Sequence, residues 1–318
     1  MSRDRKQIDV SKKAVSERRK AELEGAMKQT SMTAHWIAVA RAAETLRPDP
    51  LFVDSLAVEF VSRADPALLA DLRDNPTPRF DVLAVRTRFF DDFLSAAVGN
   101  GLRQAVIVAA GMDSRAYRLD LPTDLRLFEI DLPDLQAGKE ALLTDLGLTN
   151  PRCRRHVVAA DVTGDWSSRL RLAGFDPSAP TAWLIEGFLY YLTNEQVEGV
   201  ISTVSQLSAE GSVLGLEHVN TDLYRAPWMR QWLADMRREG RPWQSGVDDP
   251  EAWLARHGFR PQVREPADLP EATGRRVPKT PPRPTPGAAR TWLITAERIR
   301  KETLRDRDSD VRPEGVRT

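Results

Sequence analysis

Apolar positions change their spacing along the chain, and the change divides it. From Ser31 to Phe60, Trp36, Ala40, Ala43 and Leu46 recur at the period of a helix with one buried stripe, until Arg47-Pro48-Asp49-Pro50 interrupts it. A second helical pattern runs from about Phe80 to Val98. After Asn100-Gly101 the chain alternates short, β-branched apolar runs with helical stretches. The runs at 105–109, 125–130, 156–160, 182–186 and 213–219 are too short and too apolar for amphipathic helices, so they predict buried strands of a parallel sheet. Helical stretches near 135–146, 167–172 and 195–207 lie between them, and right-handed crossovers would cover both faces. Beyond Val219 comes a helical stretch with Trp228, Trp232 and Trp243, then a helix at 250–257 closed by Gly258. Residues 259–263 and 291–296 predict two last strands around a proline-rich loop from Pro278 to Pro286.

The implied organisation is a charged arm over 1–28, a helical cap over 29–99, an α/β core over 100–298 with an inserted lid at about 220–250, and a charged tail over 299–318. Composition leaves this picture intact. Apolar residues make up 41% and charged residues 29%, ordinary globular usage. Lysine plus arginine equals aspartate plus glutamate, 46 each, so no net positive field exists to hold nucleic acid or an anionic membrane. The N-terminal stretch lacks the apolar run of a signal peptide, and no segment approaches the roughly 20 apolar residues of a membrane span, which predicts a cytoplasmic protein. Cys153 is the single cysteine, which excludes an intrachain disulfide and a cysteine-rich zinc site, and no cluster has the spacing of a metal site.

The chemistry is concentrated where the first strand ends. Val106-Ile107-Val108 is followed by Ala109-Ala110-Gly111, small residues that let a ligand approach the strand-to-helix turn. Asp131 ends the next strand about 20 residues after Gly111, where an acid accepts hydrogen bonds from ribose hydroxyls. Either half alone is weak, since small residues close many turns and acids cap many helices. Together they point to a nucleoside site. Only Gly111 is glycine here, so the G-x-G-x-x-G cradle of a dinucleotide pyrophosphate is missing, whereas a phosphate-free nucleoside such as S-adenosylmethionine needs none. Asp161 and Glu186, after the third and fourth strands, add polar partners at the same sheet edge.

A set of segments then resembles the leucine carboxyl methyltransferase family, in order from about residue 30 to 298. These are Thr33-Ala34 through Arg41-Ala42-Ala43-Glu44; Arg86-Thr87-Arg88-Phe89-Phe90-Asp91-Asp92; the run from Ala109 to Leu119; and Phe128-Glu129-Ile130-Asp131-Leu132-Pro133. Asp161 with Asp165-Trp166, Trp183-Leu184-Ile185-Glu186-Gly187 with Tyr191-Leu192, and Ala289-Arg290-Thr291-Trp292-Leu293-Ile294-Thr295 continue it. The resemblance implies a Rossmann-like class I methyltransferase sheet with helices on both faces, and S-adenosylmethionine as cofactor. It further implies that Arg86 binds the methionine carboxylate, that Ala110 and Gly111 lie beside the cofactor, and that Asp131, followed by Leu132, holds the ribose. Asp161 and Val162 would flank the adenine, and Glu186 would lie near the methionyl end. Ala109 departs from the pattern, because many relatives carry glycine there.

Other residues have two readings each. Arg86 could instead form a surface ion pair with Asp91 or Asp92, and Asp113 and Arg115 are expected to fix the loop by pairing with neighbours. Tyr190 and Tyr191 could wall a substrate pocket or belong to the core, and His35 is a further substrate candidate. His218, ending the fifth strand, is either the catalytic base or a buried structural group. The expected reaction is in-line methyl transfer to a carboxylate or hydroxyl oxygen of a small, aromatic or polyketide-like metabolite. The alternatives are a non-catalytic S-adenosylmethionine-binding module and a nicotinamide-dependent enzyme of the same fold class.

Overall fold

The seven apolar runs become seven strands of one sheet. In chain order the elements are α1 (Met32–Thr45), α2 (Ser55–Ala64), α3 (Pro66–Asp74), α4 (Asp81–Gly99), β1 (Gln104–Val108), α5 (Arg115–Arg118), β2 (Arg126–Asp131) and α6 (Pro133–Asp145). Then follow β3 (Arg154–Ala159), α7 (Trp166–Leu172), β4 (Ala182–Ile185), α8 (Asn194–Leu207), β5 (Val213–Val219), α9 (Arg230–Arg238), α10 (Pro250–Arg256), β6 (Phe259–Arg264) and β7 (Thr291–Arg298). The computed structural model describes residues 32–299 apart from positions 76 and 284, and the side chains of 32–35 are outside the description. The expected charged arm and nearly all of the expected charged tail lie outside the described residues.

The strand order is β3-β2-β1-β4-β5-β7-β6. Strands β1 to β5 pair in parallel, with Val106 opposite Phe128 and Trp183, and β7 runs antiparallel between β5 and β6. The order reverses between β1 and β4, which opens a crevice at the carboxyl edge where open α/β sheets bind ligands. Side chains alternate between two faces. Val106, Phe128, Ile130, Trp183, Ile185, Leu214, Leu216 and Trp292 pack under α7, α8 and α10. Ile107, Leu127, Leu184 and Leu293 pack against α4 and α5. Covering both faces is why the central strands read as unbroken apolar runs rather than alternating ones.

Helix starts are fixed locally. Asp54 caps α2 by accepting from Ala57 N at 3.0 Å, and Asp65 caps α3 from Leu68 N at 2.9 Å, with Pro66 preset at the first helical position. Thr193 and Gln196 form a capping box at α8. Helix α3 went unpredicted because it is only nine residues long and shows no extended period. The tryptophan-rich stretch is helical only over α9, with two 3-10 turns before it, and Trp228 on the second of them is exposed. Among the described residues no helix is long and apolar enough to cross a membrane.

Candidate active site

The loop after β1 turns sharply: Ala109 has φ +55° and Gly111 φ +48°. Ala110 N donates to Ile130 O at 3.0 Å and Asp113 N to Ala110 O at 2.8 Å, which ties the turn to β2. Asp131 then accepts from Gly111 N on one carboxylate oxygen, at 2.6 Å, and from Leu132 N on the other, at 2.7 Å. Each oxygen keeps a lone pair for a further donor. Burial raises the Asp131 carboxyl above its usual range, and the two N–H groups act against that rise. Asp161 accepts from both N and Oγ1 of Thr163 on Oδ1 at 2.8 Å. Half-exposed Leu132 lines the same wall as Leu135 and Val162 and forms with them an apolar flank.

Under the loop lies a chain of buried ion pairs. Glu186, just past β4, accepts from Arg86 Nε at 2.9 Å and from Arg115 Nη2 at 2.7 Å. Arg86, on α4, also donates from Nη1 to Glu217 of β5 at 3.0 Å. Arg115 bonds Asp91 at 2.8 Å and pairs with Asp113, and Arg118 clamps both oxygens of Asp91 at 2.5 and 2.7 Å. Burial works to raise the Glu186 carboxyl, but Arg115 and Arg86 outweigh it and hold the group below the usual range. The same contest at Asp113, between burial and Arg115 with Lys139 and Arg41, leaves it at about 2. The network reaches the preceding helices: Asp54 accepts from Ser114 Oγ at 2.6 Å and faces Arg41 Nε at 3.3 Å, and Arg41 Nη2 donates to Met112 O at 2.5 Å.

Above this network opens a cavity of about 430 Å³. The loop after β1 and the ends of β2, β3 and β4 supply its floor. Ile37 and Arg41 of α1, Phe188, Tyr191, and Gly240 to Gln244 supply the rest. Gln244 holds the last segment in place by donating to the carbonyls of Tyr190 and Tyr191, both at 2.7 Å. Trp36 of α1 meets Trp232 of α9 at 6.3 Å between ring centroids, which joins the two helices.

Arg86, Ala110, Gly111, Asp131, Leu132, Asp161, Val162, Glu186 and Tyr191 all line this cavity. Arg86 is buried and pairs with neither Asp91 nor Asp92, so its surface-pair alternative is not what the structure contains. Tyr190 is buried outside the cavity wall, its ring 3.9 Å from that of Trp243. His218 stands apart from the cavity. It is 1% exposed, its ring faces Trp253 of α10 at 5.9 Å, Nδ1 has no hydrogen-bond partner, and burial drives its pKa down to about 3. The reason is parity: adjacent strand residues face opposite sides, and Glu217, not His218, faces α4. His35 is on α1, with its side chain outside the described residues. Sequence reasoning missed Glu217, Arg41, Phe188 and Gln244; the one available signal was an acid inside an otherwise apolar strand. Among the described residues no group of three or more His, Cys, Asp or Glu could hold a metal ion.

A seven-stranded sheet of this order, with its cavity at the switch point, is the class I methyltransferase fold. A crystal structure of a DUF574-family protein from Streptomyces avermitilis superposes with a TM-score of 0.50 at 14% identity, covering 81% of this chain and 96% of that one. The family model described as leucine carboxyl methyltransferase matches residues 34–205. A protein of Parafrankia sp. (strain EAN1pec) that is named as an S-adenosyl-L-methionine-dependent methyltransferase is 40% identical over 291 residues, 85% of this chain and 86% of its own length. One from Rhodococcus jostii (strain RHA1) is 37% identical over 283 residues, 83% of this chain and 94% of its own. The chain belongs to the leucine carboxyl methyltransferase family, and it is an S-adenosylmethionine-dependent methyltransferase.

Proposed function

We propose that this enzyme methylates a carboxylate oxygen of a small molecule with an apolar, aromatic-compatible body. The observation that carries the reading is that the acids among the described residues lining the cavity, Asp113, Asp131, Asp161 and Glu186, are far weaker bases than a phenol requires. No histidine, lysine or cysteine is among those residues, and Glu186 has an arginine on each oxygen, which holds its carboxyl below the usual range and makes it a weak base. A phenol with a pKa near 10 needs a base, whereas a carboxylic acid near 4 is already an anion at neutral pH. Ile37, Phe188, Tyr191 and Pro242 offer apolar surface for the body of such a substrate.

The residues fit S-adenosylmethionine. Asp131 has acceptor capacity left for ribose hydroxyls, Asp161 has an oxygen left for the adenine amine, and Leu132 and Val162 flank the ring. Arg86 has donors left for the methionyl carboxylate, a match for its planar fork. The bound cofactor supplies a methyl group on a sulfonium. The protein's own work is then alignment and exclusion of water, with α1 and the segment 220–250 serving as cap and lid over the carboxyl edge.

The experiment is a panel of paired acceptors, aryl carboxylic acids against the corresponding phenols, with the product identified as ester or ether. A methyl ester is expected, with a rate that stays level from about pH 6 upward. An ether product with a rate rising through pH 7–9 in about the manner of a titrating base would overturn the reading.

A further inference from the structure

We infer that Glu217 is the positioning residue for Arg86, a role that rests on the reading of Arg86 as the anchor of the cofactor's amino-acid carboxylate. A guanidinium carries five N–H groups in a rigid plane, and one contact leaves that plane free to pivot. Glu186 takes the Nε hydrogen at 2.9 Å, and Glu217 takes one from Nη1 at 3.0 Å. The two acids come from different strand ends, β4 and β5, so together they fix the plane rather than only the charge. One donor on Nη1 and two on Nη2 remain, and Arg86 lines the cavity.

A third element closes the arrangement. Gly187 follows Glu186 with φ +68°, and its backbone N–H acts against the rise that burial causes in the Glu217 carboxyl. A Cβ at Gly187 would stand 3.5 Å from Nη1, from Nη2 and from the Tyr190 hydroxyl. A side chain at Gly187 would therefore crowd the guanidinium, and the pair itself is buried, Glu217 6% and Arg86 3% exposed. Nothing in the transfer step itself requires a second buried acid here. A pairing that places the donors of Arg86 accounts for one.

The test compares two ligands by calorimetry: S-adenosylhomocysteine, which carries the amino-acid carboxylate, and 5′-methylthioadenosine, which lacks it. Glu217→Leu should weaken S-adenosylhomocysteine by on the order of ten- to a hundredfold, with 5′-methylthioadenosine held to about wild-type affinity. Glu217→Gln keeps an acceptor oxygen of nearly the same shape, so it should fold as the wild type does and recover part of that loss. Arg86→Ala measured alongside separates the two levels of argument. If Arg86→Ala shows no preference between the ligands, the anchor reading falls and the inference with it. If it does discriminate while both Glu217 variants bind S-adenosylhomocysteine as the wild type does, or more tightly, or lose both ligands equally, the inference alone is overturned.

Discussion

Glu217 and His218 are neighbours in β5, yet they belong to different environments. On the face that packs against α4, α5 and α6 the sheet carries charges: Glu217 with Arg86, and Glu129 with Lys139 at 2.6 Å. On the other face the neighbours are Trp183, Trp253, Trp292 and Phe128, all nearly inaccessible to water. Buried charges cost stability unless each has a partner, and exchanging such pairs for apolar side chains is often neutral or stabilising. The charged face is therefore poorly explained as a stability device and well explained by the ligand-sized cavity at its edge. The apolar face is the converse, built of large buried rings.

The largest effect is expected from Trp253→Ala. Trp253 is 3% exposed on the apolar face, and truncating such a ring costs about 3–5 kcal/mol through lost burial and a residual cavity. Denaturant unfolding should show that loss, while the folded fraction binds S-adenosylhomocysteine nearly as before. A variant of full stability, or one whose cofactor affinity collapses while it stays folded, would break the division between the faces.

Asp131→Ala should do the reverse. It removes an acceptor shared by Gly111 N, Leu132 N and, on the proposed reading, the ribose, and each charged hydrogen bond lost costs about 1.5–3 kcal/mol. The readout is cofactor affinity by calorimetry in a protein whose far-UV dichroism is unchanged. Unchanged affinity would take Asp131 out of the site.

The two faces were not equally legible in the sequence. Short apolar runs identify the central strands because both faces are covered, and their carboxyl ends locate Gly111, Asp131, Asp161 and Glu186 without knowledge of the packing. Cross-sheet partners are different. Arg86 and Glu217 are 131 positions apart, and no local pattern records that they meet. Parity within β5 says that Glu217 and His218 face opposite sides, but not which side is which. That is why the histidine, the more familiar base, drew the attention that belonged to the acid.

His218 turns this into a pH experiment. Its pKa falls from 6.5 to about 3 on folding because burial disfavours the charged ring. Below pH 6.5 the unfolded chain takes up a proton that the folded chain refuses, so stability falls as pH falls. At pH 5 this amounts to about 2 kcal/mol relative to pH 8. His218→Gln should lose less stability over the same interval and keep its turnover near the wild-type rate. A drop of about 10²–10⁴ in turnover would instead restore His218 as a base.

The smallest effect, and the one most sensitive to its sign, is Ala109→Gly. Ala109 holds φ +55° in the turn after β1, and a Cβ in that left-handed region costs about 1–2 kcal/mol. Glycine removes the cost but adds unfolded-state freedom worth about 0.4–1 kcal/mol. The difference favours glycine by up to about 1.6 kcal/mol, which denaturant unfolding can resolve when the slope is unchanged. Ala109 also lines the cavity, so the substitution removes a methyl from the wall without touching Asp131 or Arg86. Higher stability with unchanged S-adenosylhomocysteine affinity would mean that the alanine is tolerated strain. Higher stability accompanied by weaker binding would mean that the Cβ contacts the cofactor and that the strain is part of the site.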